Sequence, residues 1–556
     1  MTAAAQDGRY LPIIYLRGFT FGQGGTESTV DDPFYGFNTG STHVRQDETG
    51  QPAFYVFESP VLRLLSDHGY RDSYITGVQA GLDEKGLRAL QKEQDKIDAG
   101  RTSDVPPGPE DASGRQVTFP AQQLFRAGSA GGVDRRSLWI YRYYDQSSRT
   151  YPDTPGRRQE IEESALGLSD LIAHVKERTG APRVNLVGHS TGGLIIRCLL
   201  QRTYPNLKQA AVDHVDKVFT YAAPHGGIKF AVGGGLIERL RDRVGALFDE
   251  SNIDDFGPQR LWEFTHDRSA LRARPRPPRG WDPRELTNFP PERFFSMVGT
   301  NPGDYDNRVS AGGVGAHSDG LVQIENAYVR GGPRAYAHRS HSGRYGIVNS
   351  EEGYQNLERF LFGDLRVHLE LDHLDALRAS LAARAEKGQA DGVFHHLDAT
   401  VAVRGLPALM HNQQIQHNSA IPVEYRKLKD GEPIPLFTVF LMSGNRPDEE
   451  EYCRYSLRLR LQPVDLRGGV QRFKHHMEQV GSWEGVLDVE TVKPPGRTWT
   501  IRWRWRYQST ADWQEATPKG SAPRVEVSFP ASAAEELGPK AVLRMTATPW
   551  NDWNEG

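Results

Sequence analysis

The feature that most constrains the fold of this chain is residues 188–192, Gly-His-Ser-Thr-Gly, together with the segments on either side of them. Before this pentapeptide, residues 183–187 form a short apolar run typical of a β-strand, and after it residues 193–200 can continue as a buried helix. A Gly-x-Ser-x-Gly pattern between a strand and a helix is typical of a nucleophile elbow, a sharp turn that exposes the serine hydroxyl. The helix N-terminus favours negative charge developing beside that hydroxyl. We therefore predict that Ser190 is a nucleophile.

Strand and helix patterns alternate over most of residues 10–363. Apolar runs predict strands and amphipathic periodicity predicts helices. The predicted strands are 11–16, 138–144, 183–187, 215–223 and 294–299, and the predicted helices include 159–175 and 351–361. This alternation predicts an α/β fold with a mainly parallel sheet and helices on both faces. Reacting groups in such sheets collect beyond the carboxyl ends of the strands, which is where Gly18, Ser190 and His225 all fall.

A serine hydroxyl is a weak nucleophile near neutral pH, so it needs a histidine base that a carboxylate orients. In elbow enzymes the carboxylate precedes the histidine along the chain. Residues 316–322, Ala-His-Ser-Asp-Gly-Leu-Val, follow a predicted strand and make Asp319 the preferred acid. Asp304, Asp306 and Glu325 are the alternatives.

The base is predicted in residues 337–343, Ala-His-Arg-Ser-His-Ser-Gly, just before the last helix of this region. His341 is preferred because it lies nearer the start of that helix, and His338 is the alternative. His317 is a weaker candidate because it lies too close in sequence to Asp319.

A tetrahedral oxyanion needs two N–H donors. We assign one to the backbone of Thr191, just after the nucleophile, and the other to Phe19, which follows the first strand. Gly18 lets the backbone approach closely there. Gly188 and Gly192 flank the elbow in the same way, and His189 and His225 are predicted to line the pocket.

These motifs resemble the α/β-hydrolase superfamily, and within it the lipases, over the sheet framework of residues 10–363. Lipases commonly have a G-H-S-x-G elbow, a D-G-x-V acid turn as at residues 319–322, and a histidine about as far beyond it as His341, which is 22 residues past Asp319. Residues 223–227 are similar to their A-P-H-x-G turn. Arg17 stands where lipases usually have a histidine, one that is not a catalytic residue.

The resemblance implies a lipase or phospholipase that cleaves carboxylic esters of lipids through an acyl-enzyme. The alternatives are a soluble carboxylesterase, an acyltransferase, or a non-catalytic interaction protein that keeps the hydrolase fold.

Three regions are predicted along the chain: a catalytic domain over 1–364, a helical linker over 365–392 and an all-β sandwich over 393–556. Seven short β-type runs predict the sandwich: 397–403, 436–442, 455–461, 483–489, 498–507, 525–529 and 542–548. One of them carries an aromatic row from Trp499 to Tyr507, which could bind sugar or lipid but is more typical of a sandwich core.

The catalytic domain carries two long insertions, about 20–136 and 226–292, which we interpret as caps or lids. The second contains an amphipathic run at 230–248, which either covers the pocket or packs on the core. It also contains a basic, proline-rich stretch at 272–279 that is typical of a solvated linker.

The charge balance and the absence of certain motifs limit the classes of ligand and partner that this chain is expected to bind. With 67 Lys and Arg against 71 Asp and Glu, the net charge of −4 excludes a general attraction to nucleic acid or acidic membranes. We expect a lipid or other ester as substrate, no nucleic acid, and membrane-surface or protein contact through the β domain as an open alternative. The chain has no P-loop, dinucleotide fingerprint or CxxC pair, and a solvated loop is the better interpretation of the acidic run at 448–451 than a calcium site. We therefore expect no metal and no cofactor.

The two cysteines, Cys198 and Cys453, cannot form a disulfide framework. The N-terminal residues lack a signal-peptide pattern, and no apolar stretch approaches the length of a spanning helix. These features lead us to expect a cytoplasmic protein, with export that needs no signal peptide left open.

Overall fold

The computed structural model describes most of the region that the sequence assigns to the sheet and to the β domain. The described residues are 10–18, 28–30, 32, 35–37, 41–46, 52–57, 59–73, 133–144, 160–228, 257–305, 314–385, 393–424, 428, 430–442, 452–463, 483–492, 500–506, 513–516 and 524–551.

The chain forms two compact units. The first comprises the described parts of Met1–Gly332 and Arg339–Ser350, and the second those of Pro333–His338 and Glu351–Gly556.

Strands and helices alternate along the first unit. Its strands are β1 (Ile13–Leu16), β2 (Ser41–Gln46), β3 (Pro52–Phe57), β4 (Arg71–Ser73), β5 (Ser137–Ile140), β6 (Val184–His189), β7 (Val215–Tyr221) and β8 (Phe294–Gly299). Its helices are α1 (Pro60–His68), α2 (Ile161–Thr179), α3 (Thr191–Cys198), α4 (Pro258–Thr265) and α5 (Arg268–Ala273).

Six strands of this unit lie side by side in the order β4-β5-β1-β6-β7-β8, and every neighbouring pair is parallel. Strands β1, β5 and β8 are buried along their whole length. Continuous burial of this kind requires cover on both faces of the sheet, which explains why these strands are runs of apolar residues. The predicted parallel sheet is confirmed. Its order brings the carboxyl ends of β1, β6 and β7 together at one edge.

Helix α2 shows how local sequence and packing agree. Glu160 and Glu163 form a capping box at its start, and Gly180 ends it in the left-handed conformation with φ 62°. Its buried face, which includes Leu168, Ile172 and Val175, recurs at helical spacing and packs on α3.

The predicted insertion at 20–136 is not wholly outside the sheet. Strand β4 falls within it and pairs in parallel with β5, Asp72 opposite Leu138. Its sequence, Arg-Asp-Ser, is short and polar because the strand lies at the sheet edge, so no apolar alternation announces it. The same region holds α1 and the antiparallel hairpin β2–β3. In the second insertion α4 and α5 are helices, while the amphipathic run at 230–248 lies outside the described residues.

The second unit is rich in β-structure. Its strands are β9 (Arg334–Ala337), β10 (Leu365–Asp372), β11 (Val393–Val403), β12 (Leu409–Gln413), β13 (Ile421–Glu424), β14 (Ile434–Leu441), β15 (Tyr452–Pro463), β16 (Trp483–Val492), β17 (Thr500–Trp505), β18 (Gln514–Ala516), β19 (Arg524–Ser528) and β20 (Val542–Pro549). Its helices are α6 (Glu351–Phe362), α7 (Asp375–Ala385) and α8 (Ala531–Leu537).

Two antiparallel sheets make up the body of this unit. One has the order β14-β10-β20-β19, and the other has the order β12-β11-β15-β16-β17-β18, with β13 also pairing with β11. A single hydrophobic core draws side chains from both sheets, which is the arrangement of a sandwich. All seven predicted β-type runs form strands, so the predicted all-β region is confirmed.

The aromatic row of β17 belongs to this core. Ile501, Trp503 and Trp505 are buried in it, whereas Trp499 and Tyr507 lie outside the described residues. The described part of the row is therefore used for packing.

The predicted helical linker at 365–392 is wrong in its first part. Residues 365–372 form β10, in which Leu365, Val367, Leu369 and Leu371 are buried and the residues between them are half-buried. The apolar residues alternate with a period of two, which suits a strand and not a helix. A helix, α7, begins only at Asp375.

Within the described residues, no helix combines the length and the apolar character needed to cross a bilayer.

The strand assignment of β10 predicts an energetic asymmetry. Leu369 is fully buried in the shared core, so Leu369→Ala should lower the free energy of unfolding by about 2–5 kcal/mol. Arg524→Ala, at an exposed position of β19 in the same sheet, should change it by less than about 0.5 kcal/mol. Urea unfolding followed by tryptophan fluorescence measures both. Equal effects for the two variants would contradict the strand assignment.

Candidate active site

The backbone turns sharply at Ser190, between β6 and α3. Ser190 has φ 53° and ψ −123°, a conformation that residues with a side chain rarely adopt. The turn is held by two backbone hydrogen bonds, from Ser190 N–H to the Tyr221 carbonyl (2.9 Å) and from Gly193 N–H to the Ser190 carbonyl (2.9 Å). The strain is therefore maintained by the neighbouring strand β7 and by the first turn of α3.

Glycines are required around this turn because backbone segments approach it closely. A Cβ atom at Gly192 would lie 2.6 Å from the Leu16 carbonyl oxygen, and one at Gly18 would lie 2.5 Å from the Ser190 Cβ. At Gly188 it would lie 2.8 Å from Ile196 Cδ1. Any side chain at these positions would push β1 or α3 away from the elbow.

The Asp319 carboxylate is fully buried and accepts three hydrogen bonds. Its Oδ1 accepts from the N–H groups of Leu321 (3.0 Å) and Val322 (2.7 Å), and its Oδ2 lies 2.9 Å from His341 Nδ1. Both oxygens of this buried carboxylate therefore have hydrogen-bond partners.

The alternative acids are placed differently. The carboxylate of Asp304 accepts a hydrogen bond from Asn301 Nδ2 (2.8 Å) in an exposed turn, and Glu325 is exposed. Asp306 lies outside the described residues.

His341 lies between Asp319 and Ser190. Its Nε2 is 3.0 Å from Ser190 Oγ, and both side chains are buried. Because an ionised carboxylate only accepts hydrogen bonds, we assign the ring proton to Nδ1, which leaves the Nε2 lone pair free for the serine hydroxyl. Ser190, His341 and Asp319 thus form one continuous hydrogen-bonded chain. His338, the alternative base, belongs to the second unit, where its ring stacks on His417 with centroids 3.7 Å apart.

His189 does more than line a pocket. Its Nε2–H donates to the His341 carbonyl (3.0 Å), and the two ring centroids lie 5.1 Å apart. The His341 N–H in turn donates to the Asp319 carbonyl (2.9 Å). Burial and, secondly, the proximity of His341 hold the pKa of His189 well below its usual range, so His189 is neutral near pH 7. The backbone of His341 is therefore held at both its N–H and its carbonyl.

The predicted pocket residue His225 is completely buried. Its Nε2 lies 3.1 Å from Thr220 Oγ1, and its ring meets the edge of Phe294 at a centroid distance of 5.3 Å. Burial and, secondly, the positive charge of Arg197 lower the pKa of His225 well below its usual range.

Arg197 belongs to none of the sequence motifs, but the structure places it in the helix that follows the elbow. Its guanidinium is fully buried and donates to the carbonyls of His225 (2.9 Å), Pro283 (2.9 Å) and Glu285 (2.8 Å), and to Gln201 Oε1 (2.9 Å). Burial lowers the pKa of Arg197 to about 10, so it remains charged at neutral pH. It ties α3, which begins at the elbow, to the chain beyond β7. In the sequence, the only sign of this role is that Arg197 is the single charged residue in the apolar run at 193–200.

The region expected to bind an oxyanion is partly described. Thr191, the first residue of α3, is buried, and its hydroxyl has no hydrogen-bond partner among the described residues. The carbonyls of Arg17 and Gly18 accept hydrogen bonds from the hydroxyls of Tyr143 (2.6 Å) and Tyr144 (3.2 Å). Phe19, the second predicted donor, lies outside the described residues.

The described part of the chain contains no group of three or more histidine, cysteine or acidic side chains arranged to hold a metal ion. The acidic run at 448–451 lies outside that part.

The parallel sheet, with an elbow between β6 and α3 and a β-rich unit after it, has the α/β-hydrolase fold. No family model and no curated protein sequence matches the chain. Among solved structures, phospholipase PlaB from Legionella pneumophila is 13% identical with a TM-score of 0.28, covering 71% of this chain and 86% of PlaB. The lin2722 gene product of Listeria innocua is 10% identical with a TM-score of 0.25, covering 63% of this chain and 94% of that protein. Likenesses this weak add nothing to what the sheet and the elbow show by themselves.

The contact between His189 and His341 makes a testable prediction. His189→Phe removes the N–H that holds the His341 carbonyl, and should slow the reaction of Ser190 with a fluorophosphonate by about tenfold, equivalent to one lost buried hydrogen bond. His189→Gln offers an amide N–H in its place and should recover most of the rate.

The rate of label incorporation measures both variants, and His338→Phe, in the second unit, is the control. Equal slowing in the Phe and Gln variants would show that the ring, and not its hydrogen bond, matters.

Proposed function

We propose that this protein is a serine hydrolase that cleaves carboxylic esters of lipids through an acyl-enzyme. The observation that carries the proposal is the chain from Ser190 Oγ to His341 Nε2 (3.0 Å) and from His341 Nδ1 to Asp319 Oδ2 (2.9 Å). A buried histidine between a serine hydroxyl and a carboxylate is the arrangement that activates serine as a nucleophile.

The reaction follows from this geometry. Ser190 Oγ attacks the ester carbonyl carbon while its proton passes to His341 Nε2, and Asp319 stabilises the imidazolium that forms. The carbonyl oxygen becomes an oxyanion beside the N-terminus of α3, where the Thr191 N–H is the proposed donor. The C–O bond then breaks, and His341 returns the proton to the leaving alcohol. Water repeats the sequence on the acyl-enzyme and releases the acid.

The lipid class rests on the sequence motifs that resemble lipases. A soluble carboxylesterase would use the same groups, and an acyltransferase would replace water by an alcohol in the second half-reaction. A non-catalytic interaction protein would keep the fold but leave Ser190 unreactive. These alternatives differ in acceptor and substrate, and so they are distinguished by measurement of the reaction.

The nucleophile assignment predicts that a fluorophosphonate labels the wild-type chain and fails to label Ser190→Ala. Ser66→Ala, which removes an exposed hydroxyl on α1, is the matched control and should label normally. Mass spectrometry of the labelled peptide locates the adduct. Folded wild-type protein that takes no label would overturn the enzyme proposal in favour of the interaction protein.

The lipid assignment predicts that hydrolysis of a series of esters increases sharply once the substrate aggregates. The measurement is the initial rate against ester concentration, below and above the point of micelle formation, with acyl chains of increasing length. A rate that saturates below aggregation would indicate a soluble carboxylesterase. Ester product formed from an added alcohol, in preference to free acid, would indicate an acyltransferase.

The acid assignment predicts that Asp319→Asn reduces kcat by about 10⁴-fold with little change in KM. An asparagine can donate to His341 Nδ1, which would move the ring proton to Nε2 and prevent that atom from accepting the serine proton. Asp304→Asn, at an alternative acid, should leave the rate near wild type. Circular dichroism of both variants separates a loss of chemistry from a loss of fold.

A further inference from the structure

Four arginines lie close together in sequence, Arg272 in the last turn of α5 and Arg274, Arg276 and Arg279 just after it. All four are exposed, and in the part of the chain that the structure describes none lies within ion-pair distance of an acidic side chain. Since the whole chain has a net charge of −4, this segment is a local concentration of positive charge on a protein that is otherwise slightly acidic. We call residues 272–279 the arginine segment.

The two acidic residues nearest in sequence, Asp267 and Asp282, are engaged elsewhere. Asp267 caps α5 by accepting from the N–H groups of Ser269 (2.7 Å) and Ala270 (3.0 Å). Asp282 pairs with Arg284 (2.8 Å), and Glu263 lies 3.6 Å from Arg260. The charge of the arginine segment is therefore left to act on a partner.

The backbone of the segment is held in place. The indole N–H of Trp262 donates to the Arg274 carbonyl (3.1 Å), and Gln259 Nε2 donates to the Pro275 carbonyl (3.0 Å). Three prolines within the segment restrict its backbone further. A surface that is already ordered loses less conformational entropy when it binds, which favours a recognition role over that of a solvated linker.

We propose that the arginine segment is a docking surface for an anionic lipid bilayer. The inference rests on the proposed function, because an enzyme that takes lipid esters must meet its substrate at a lipid surface. Each arginine near such a surface contributes about a fivefold gain in binding, and the gain falls with ionic strength. Trp281 is half-buried and packs edge-on against Trp262 with centroids 5.0 Å apart, and the Trp262 indole donates to the Arg274 carbonyl. Indole side chains favour the headgroup region of a bilayer.

Co-sedimentation of the full chain with vesicles tests the proposal. Wild-type protein should bind phosphatidylcholine vesicles that contain phosphatidylglycerol, should bind pure phosphatidylcholine vesicles much more weakly, and should be released by salt. The double variant Arg274→Gln/Arg276→Gln should lose about 10- to 30-fold in affinity for the anionic vesicles. The matched control Arg524→Gln/Lys540→Gln removes two exposed positive charges from the second unit and should bind like wild type.

Two outcomes would overturn the proposal: unchanged affinity in the double variant, or equal binding to neutral and anionic vesicles. A double variant that binds vesicles normally but loses binding to duplex DNA would instead assign the segment to nucleic acid.

Hydrolysis of a water-soluble short-chain ester, measured on the same proteins, keeps this result separate from the proposed function. The double variant should retain that rate. Vesicle binding by a protein that hydrolyses no ester would support the docking surface while contradicting the enzyme proposal.

Discussion

The backbone conformation of Ser190 is the constraint on which the rest of the candidate site depends. A non-glycine residue at φ 53° and ψ −123° costs about 1–3 kcal/mol, and it persists only where the surroundings leave no alternative. Here those surroundings are the Leu16 and Arg17 carbonyls at the end of β1, which leave no room for a side chain at Gly192, and the Tyr221 carbonyl of β7, which accepts a hydrogen bond from the Ser190 N–H. The buried parallel sheet thus stabilises a turn that the local sequence alone would not hold.

The position of His341 is constrained in the same way, by its surroundings. His341 is held at four points: its N–H and Nδ1 by Asp319, its carbonyl by His189, and its Nε2 by Ser190. Because His189 directly precedes Ser190, the elbow contacts His341 twice. His189 holds its backbone carbonyl, and Ser190 Oγ is hydrogen-bonded to its ring. A displacement of the elbow or of the turn at Asp319 would break at least two hydrogen bonds to His341. The geometry of the three side chains is therefore cooperative.

The arginines of the first unit show how burial decides what a charge does. Arg197 is fully buried, and its guanidinium donates hydrogen bonds to three backbone carbonyls and to a glutamine side chain, so it connects segments of the chain. The arginines at 272–279 are exposed and have no acidic partner in the described chain, so their charge acts outwards. The first arrangement positions the chain around the elbow, and the second is suited to a partner of opposite charge.

The sequence by itself determined the strands and helices whose patterns are local. The apolar runs of β1, β6, β7 and β8, the helical spacing of α2 and the seven β-type runs of the second unit all follow from burial on one or two faces. It also selected Ser190, Asp319 and His341, whose roles remain predictions although the structure brings them together. Tertiary structure alone decided the polar edge strand β4, the clamp by His189 and the connections of Arg197. These depend on pairing between segments far apart in the chain, and a hydrogen bond such as that from Arg197 to Glu285 leaves no periodic pattern in either segment.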